Sequence, residues 1–416
     1  MRQTELFVKT KKETPKDEIS RNAQLLIKAG FIYKELAGVY DFLPLGLRVL
    51  NKINGIIRQE MNACGGQEVQ LTVLQNPEIW EKTDRWDSQK VDNWFKTKLK
   101  NETVLGLGFT HEEPLTNLMK QYVTSYRDLP VFIYQIQSKF RNEERAKSGL
   151  MRGREFLMKD LYSFCRNEQE LDEFYEQMKG AYSKIFIRLG LGEKTFLTFA
   201  SGGVFSKYSH EFQTLSPAGE DVIYVDKIKK IAVNKEVLTP KVLADLGLER
   251  DELIEERAIE VGNIFKLGIR FSKALGLTYK AEDGSTKEVV MGSYGIGPSR
   301  LMGTVAEVLA DNNGLVWPKE ITPFQVHLIL LNQEQRNWAE TIYIELSKIA
   351  EILYDDRDES VGVKLADAEL IGLPIQLIIG KKEAGKLEIR LRSDLKSASY
   401  CSTEEAKQLI IDFYQA

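Results

Sequence analysis

Between Phe140 and Phe164 the chain reads FRNEERAKSGLMRGREFLMKDLYSF, and no other stretch restricts its fold as much. The run before it, Val131 to Phe140, alternates as a half-buried strand does. Tyr134, Ile136 and Phe140 fall on one face, and Gln135, Gln137, Lys139, Arg141 and Glu143 fall together on the other. A row of amide, cation and carboxylate groups is too costly to bury unpaired, so that face is expected to meet water or to line a polar pocket. Glu144 to Gly153 is charged and contains glycine, which reads as a turn, and Glu155 to Phe164 reads as the returning strand. The residue types suit an adenine nucleotide. Arg141 carries a permanently charged planar fork able to grip an α-phosphate and a carboxylate together. Glu143 is able to accept from an exocyclic amine, and Phe156 offers a stacking face. A surface hairpin with solvated charges and one core phenylalanine fits the same stretch equally well.

FRNE followed by GLMRGREFLMKD resembles motif 2 of the class II aminoacyl-tRNA synthetases, in the form typical of bacterial prolyl-tRNA synthetases. Bulk properties are compatible with that. A chain of 416 residues has room for two or three domains, and 43% hydrophobic with 28% charged residues is ordinary globular composition. No apolar run is long enough to span a bilayer and the first residues lack a signal-peptide core, so a cytoplasmic protein without membrane contact is expected. Cys64, Cys165 and Cys401 lie far apart with no metal-ligand spacing and read as free thiols. The net charge of −4 does not advertise nucleic-acid binding, but a basic patch on a large enzyme suffices for it.

Taken in order, Asp17 to Ala29 reads as a short helix. Leu47, Leu50, Ile53, Ile57 and Met61 then recur at three and four as one face of a longer helix, closed by Gly65 and Gly66, with Gln67 to Leu74 following as a strand. A long helix, a glycine break and a strand resemble class II motif 1, which implies a homodimer; Thr72 stands where most relatives have proline. Trp80, Trp86 and Trp94 mark an aromatic segment read as packing. Thr110-His111-Glu112-Glu113-Pro114 has the composition of a helix start, with Thr as cap and Pro in the first turn. It also resembles the loop with which prolyl-tRNA synthetases bind the imino group of proline, which would place Thr110 and Glu112 on a pocket rim.

Leu171 to Leu189 reads as an amphipathic helix and Thr195 to Phe199 as a strand. A histidine beside phenylalanine is on sequence alone more often packed than functional. Ser209-His210-Glu211-Phe212 nevertheless resembles the family segment whose histidine lines the proline pocket and whose glutamate stands near the nucleotide and its Mg²⁺. Asp226 to Ile259 reads as a charged, mostly helical surface stretch too small for a core of its own. Glu260 to Gly268 resembles the family's EVGHIFQLG, with Asn263 for His and Lys266 for Gln. Cys165 likewise stands where the usual pattern has histidine. Val289 to Pro298, with Arg300 in the first turn of the next helix, resembles motif 3, whose arginine packs on adenine and meets the γ-phosphate. It is neither a Walker A nor a Rossmann signature.

Asn313 to Pro318 reads as a boundary. Beyond it, strands at Gln325 to Leu331, Ile375 to Ile379 and Leu387 to Leu391 and helices at Trp338 to Leu353 and Thr403 to Tyr414 indicate a small α/β domain. The segment DDRDESVGVKLADAELIGLPIQLIIG resembles the anticodon-binding domain shared by several class IIa synthetases. Its basic residues Lys381, Lys382, Lys386, Arg390 and Arg392 form a candidate tRNA-phosphate contact or, equally, a solvated sheet edge.

The resemblance implies an α+β protein: residues 1–320 a class II catalytic domain, an antiparallel sheet with flanking helices, and 321–416 an anticodon-binding domain. It implies activation of proline with ATP and Mg²⁺ and transfer to the 3′ end of the proline tRNA. Arg141 and Arg300 would be catalytic. Arg141, Glu143, Arg152, Phe156, Glu211 and Arg300 would bind ATP, with Glu211 toward Mg²⁺, and Thr110, Glu112, Arg141 and His210 would bind proline. With 226–259 standing where many bacterial relatives carry an editing domain, no editing in cis is expected, and correction would fall to a separate protein. A threonine or serine synthetase lacks support, since there is no Cys/His zinc set and no N-terminal heptad arm. A catalytically dead paralogue would be expected to have lost the two motif arginines.

Overall fold

The computed structural model describes residues 1–201, 208–380 and 385–415, which divide into two compact units. One unit comprises Leu36–Val39 and Asn54–Thr304. Its frame is a nine-stranded sheet, and the elements used below are labelled in chain order. They are α1 Pro44–Ala63, β1 Gln67–Glu68, α2 Glu112–Met119, β2 Val131–Phe140, β3 Glu155–Cys165, α3 Glu168–Arg188, β4 Thr195–Ser201 and β5 Tyr208–Leu215. They continue with β6 Asp221–Asp226, β7 Ile231–Asn234, α4 Pro240–Leu246, β8 Ile254–Gly268, β9 Val290–Ile296 and α5 Pro298–Val308. The order across the sheet is β5-β4-β7-β6-β8-β9-β3-β2-β1.

All pairings are antiparallel except β1 with β2 and β7 with β4. The expected hairpin is β2–β3, in register from Val131 opposite Phe164 to Phe140 opposite Glu155. Side chains alternate across this sheet. One face is covered by α3, which Asn167 caps through a bond from the Glu170 amide and which buries Leu171, Phe174, Tyr175, Met178, Tyr182 and Ile185. Phe132 stacks on Phe174 and Phe212 packs against Tyr182 there. The opposite face carries Gln135, Gln137 and Lys139 of β2, with Arg141 just beyond the strand's end, and is the polar one.

The segment 226–259 departs from expectation. It is not mostly helical. After β7 it holds the short α4, whose Thr239 cap accepts from Val242 and whose end is turned by Gly247 at φ 63°, flanked by single 3-10 turns at Lys235–Val237 and Arg250–Glu252, before β8 begins. Its apolar residues pack onto the rest of the sheet, as a segment without a core of its own must: Val233, Val242, Leu243, Leu248 and Leu253 bury together with Tyr224, with Phe199 and Val222 against them. Because β5 also pairs with β8, the strands β8-β5-β4-β7-β6 close into a ring. Phe196, Leu215, Ile223, Val225, Ala232 and Ala258, drawn from all five strands, fill it.

The other unit comprises Met1–Glu35, Tyr40–Ile53 and Val305–Ala416. Its five-stranded sheet, order Ile352–Asp355, Val326–Leu330, Ile375–Ile379, Leu387–Leu391, Asp394–Cys401, is parallel over the first three strands and antiparallel beyond. Helices Arg336–Leu346, Val361–Ile371 and Thr403–Gln415 accompany it. The expected helix to Leu353 stops at Leu346, because Ile352–Asp355 is a fully buried strand. The N-terminus is tied to this unit: the Met1 ammonium donates to Ile352 O at 2.8 Å, and Arg2 pairs with Glu340.

The apolar stripe of α1 is spent inside the chain. Leu50, Ile53, Ile57 and Met61 are 5% exposed or less, and only Leu47 is open to solvent, at 47%. That stripe therefore supplies no argument for a dimer. The expected strand from Gln67 to Leu74 is reduced to β1 and a two-residue piece at Leu74–Gln75. No helix among the described residues is long and apolar enough to cross a membrane, and the three cysteines are free.

Candidate active site

On the polar face of the sheet, a cleft of about 270 Å³ is lined by Arg141, Glu143, Arg152, Phe156 and Arg300, together with Glu220, Asp221 and Glu260. Five of the six residues expected to bind a nucleotide thus line one cavity. They come from the end of β2, the hairpin turn, the start of β3 and the first turn of α5. The Arg141 guanidinium carbon lies 5.2 Å from the Phe156 ring centroid. Its Nε is buried without a hydrogen-bond partner, and among the described residues no carboxylate pairs with it. Burial, and next the like charge of Arg300, push its pKa below the ordinary arginine value. A buried cation held beside another cation is an incomplete site for an anion.

Arg300 is aimed by Glu260, whose carbonyl and Oε2 accept from its Nη1 at 2.8 and 3.0 Å. Asn263 in turn donates to Glu260 Oε1 at 2.7 Å, so this departure from the family pattern positions a cleft carboxylate. Glu143 receives Arg152 at 2.8 Å, and Arg152 also reaches Glu220 at 2.7 Å. Glu211 stands beside the cleft lining, joined to Asp221 through Gln213 at 2.9 and 2.7 Å. Burial, and then the charge of Glu260, raise its carboxyl to about 8.

No group of three His, Cys, Asp or Glu among the described residues converges on a metal position. Glu211 and Glu260, close enough for the charge of Glu260 to raise the Glu211 carboxyl, offer the one or two carboxylates with which Mg²⁺ is bound together with substrate phosphates.

Next to Arg141 along the same strand face lie the residues expected to take the amino acid. The Thr110 hydroxyl donates to Glu112 Oε2 at 2.6 Å, and Ser293 of β9 donates to Glu112 Oε1 at 3.4 Å. The cap of α2 is His111, not Thr110, and it makes no side-chain capping bond. Thr110 is therefore free of capping and turned to Glu112. Beneath them Lys139, 0% exposed, donates to Asp160 at 3.0 Å and to His111 Nδ1 at 2.6 Å. Gln135 and the Tyr162 hydroxyl also donate to Asp160, and Tyr162 accepts the His111 amide at 3.1 Å. With Nδ1 accepting, the His111 Nε2 proton is directed to Thr72 O at 3.0 Å. Burial, and then Lys139, lower the His111 pKa to about 4, so the ring is neutral.

His210 is not brought to this pocket. Strand alternation puts it on the face opposite Glu211, where its Nδ1 meets the Tyr175 hydroxyl of α3 at 2.9 Å and its ring packs near Phe199. Lys266 shares that face, paired with Asp172 at 2.6 Å, and so does the buried Cys165. Arg85, Tyr162, Ser293 and Glu260 belong to the site without having been singled out. Tyr162, Ser293 and Glu260 each lay inside a family-like segment without being marked in it, and Arg85 lay in none.

In the C-terminal unit, Lys386 and Arg390 line a cavity of about 350 Å³ with Leu331, Val361, Ile378 and Tyr400. Arg392 is removed from the candidate tRNA contact: it is 2% exposed and both its terminal nitrogens are held by Asp311 at 2.6 and 2.7 Å. Lys381 and Lys382 lie outside the described residues.

Residues 95–309 match the family described as tRNA synthetase class II core domain (G, H, P, S and T), and residues 325–411 match the anticodon binding domain. With a core match over half the chain, around a cleft built on motifs 2 and 3, the protein belongs to the class II aminoacyl-tRNA synthetases.

Among curated relatives, the proline–tRNA ligase of Geobacillus sp. (strain WCH70) is 35% identical, covering 94% of this chain and 96% of that one. The proline–tRNA ligase of Bacillus cytotoxicus is 34% identical over 96% and 97%. Within the class, the chain belongs to the prolyl-tRNA synthetase family. The Geobacillus alignment runs over 546 positions, whereas 94% of 416 residues fills about 390, so about 155 positions of that alignment have no counterpart here. The fold matches crystal structures of prolyl-tRNA synthetase from Cryptosporidium parvum. One, with L-proline and AMP, gives a TM-score of 0.76 at 18% identity over 95% of this chain and 74% of that. The other, with halofuginone and AMPPNP, gives 0.77 at 18% over 94% and 77%.

Proposed function

We propose that the chain is an ATP-dependent proline–tRNA ligase of the cytoplasm, with residues 1–320 serving catalysis and 321–416 recognising the anticodon. The observation that carries this is Arg141, half-buried, with its Nε buried and unpartnered, between the Glu112 pocket and Arg300. A proline carboxylate oxygen attacks the α-phosphorus in line, forming a new P–O bond as the bond to pyrophosphate breaks. The tRNA 3′-terminal hydroxyl then attacks the prolyl carbonyl and AMP leaves. Neither step needs a covalent enzyme intermediate, so positioning and charge neutralisation supply the rate.

Arg141 bridges carboxylate and α-phosphate, Phe156 and Glu143 hold adenine, and Arg300 with Arg152 meets the outer phosphates. Thr110 and Glu112 hold the imino group. Glu211 with Glu260 would hold Mg²⁺, which would supply charge neutralisation on the phosphates. Proline-dependent ATP–pyrophosphate exchange tests the reading; exchange with threonine or serine and none with proline overturns it.

Lys386 and Arg390, with Lys381 and Lys382, are assigned to tRNA. Charge reversal at Lys386 and Arg390 is expected to weaken aminoacylation and flatten its salt dependence while exchange is unchanged; an equal fall in both would tie the pair to the fold. A homodimer is proposed on the motif 1 resemblance, and light scattering is expected to give twice 47.5 kDa.

Editing is proposed to lie in another protein. A pocket sized for proline rejects a smaller amino acid by only ~10–200-fold per missing methylene, so alanine should be activated detectably. Purified enzyme supplied with Ala-tRNA for proline is expected to leave it at the spontaneous hydrolysis rate, and clear acceleration would place an editing site in this chain.

A further inference from the structure

Arg85 belongs to none of the three motifs and precedes the matched core domain; it sits in the tryptophan-rich stretch. It is 3% exposed, with its guanidinium carbon 5.4, 5.2 and 5.4 Å from the ring centroids of Trp80, Phe109 and Phe271. Trp94 Nε1 fixes its backbone by donating to Arg85 O at 2.8 Å. A cation at this depth has lost its hydration, and ring faces offset only part of that loss. The rest is supplied by two adjacent buried carboxylates on one nitrogen. Arg85 Nη1 donates to Glu113 Oε1 and Oε2 at 3.0 and 3.1 Å and to Glu112 Oε2 at 3.3 Å.

The two glutamates differ in what else they hold. Glu113, 0% exposed, takes a further bond from Thr83 at 2.8 Å and touches nothing assigned to substrate. Glu112 takes the Thr110 hydroxyl on the same Oε2 that Arg85 reaches, at 2.6 Å. Among the described residues its Oε1 has only the long Ser293 bond at 3.4 Å. One oxygen of Glu112 is therefore filled from within the protein, and the other keeps acceptor capacity.

We infer that Arg85 is the positioning residue for amine recognition. Clamping Oε2 of Glu112 fixes the carboxylate in place, with Oε1 presented to the secondary ammonium of the amino-acid substrate. The aromatic stretch then has a purpose beyond packing, since it delivers this cation beneath the pocket. The inference rests on the proposed proline activation and adds a residue to it.

The test is exchange kinetics on the full chain, with KM measured separately for proline and for ATP. Arg85→Gln is expected to raise KM for proline by ~100-fold with KM for ATP changed less than ~3-fold, the signature of lost amino-acid binding. Because a single nitrogen makes all three contacts, Arg85→Lys is expected to recover ~10-fold of that loss. Removing Arg85 alone strands Glu113 and endangers folding, so the deciding variant is the double Arg85→Gln/Glu113→Gln, which leaves one buried charge fewer. Its KM for proline is expected to stay high. A return to the unmodified value would show that Arg85 only neutralises Glu113 and would overturn the inference, as would an equal rise in both KM values. Absence of proline-dependent exchange in the unmodified chain would instead overturn the functional reading beneath it.

Discussion

Arg141→Ala is expected to reduce proline-dependent pyrophosphate exchange by at least ~10³-fold, about 4 kcal/mol of transition-state stabilisation, while the protein stays folded. The two halves of that expectation have one cause. Arg141 has no partner to strand and is pressed by Arg300, so its removal relieves the resting protein. Its interactions are formed only when a carboxylate and a phosphate arrive. Stopped exchange with an unchanged thermal midpoint is the pattern to look for. Arg141→Lys should be nearly as inactive, because an ammonium cannot reproduce the planar fork. Near-normal exchange in either variant would remove Arg141 from the site.

Lys139→Met is expected to behave in the opposite way, costing about 3–5 kcal/mol of stability because it leaves a buried carboxylate without its cation. Burial pushes the Asp160 carboxyl up, and Lys139 foremost among its neighbours outweighs that and holds it below the usual range. The sign of the pH dependence follows. With the cation gone, the folded-state pKa of Asp160 rises above its unfolded value, so the protonated form is favoured in the folded variant and the deficit shrinks as pH falls. Adding Asp160→Asn should recover most of the loss at neutral pH. Urea titrations at pH 7 and pH 5 check both statements, and a single variant within 1 kcal/mol of the parent would show the pair to be solvated.

The hairpin of β2 and β3, the polar row from Gln135 to Arg141 and the motif 3 helix were legible because they rest on period-two and glycine signals that act locally. His210 was misplaced because a matching tetrapeptide does not specify which face of the strand each residue takes; with Glu211 turned to the cleft side, its neighbour had to face α3. Arg392 read as a free cation because its partner, Asp311, is 81 residues away. Arg85 gave no sign at all, since a guanidinium among tryptophans looks the same in sequence whether it covers a core or reaches a buried carboxylate. The stretch 226–259 misled through composition: most of its charges face solvent, while Val233, Val242 and Leu253 point inward at spacings no single period describes.

That stretch closes the ring of β8, β5, β4, β7 and β6, with β7 bonded to β4 on one side and β6 on the other. A strand so placed cannot be trimmed as a spacer. Excising it to make a smaller enzyme would open the edges of β4 and β6 and uncover Phe196, Ile223 and Val225, turning a sealed surface into a template for self-association. A shortened chain should therefore precipitate, not merely lose activity. Any added domain is better grafted at the turn between β6 and β7, where Ile228 is already 96% exposed and no ladder bond is broken.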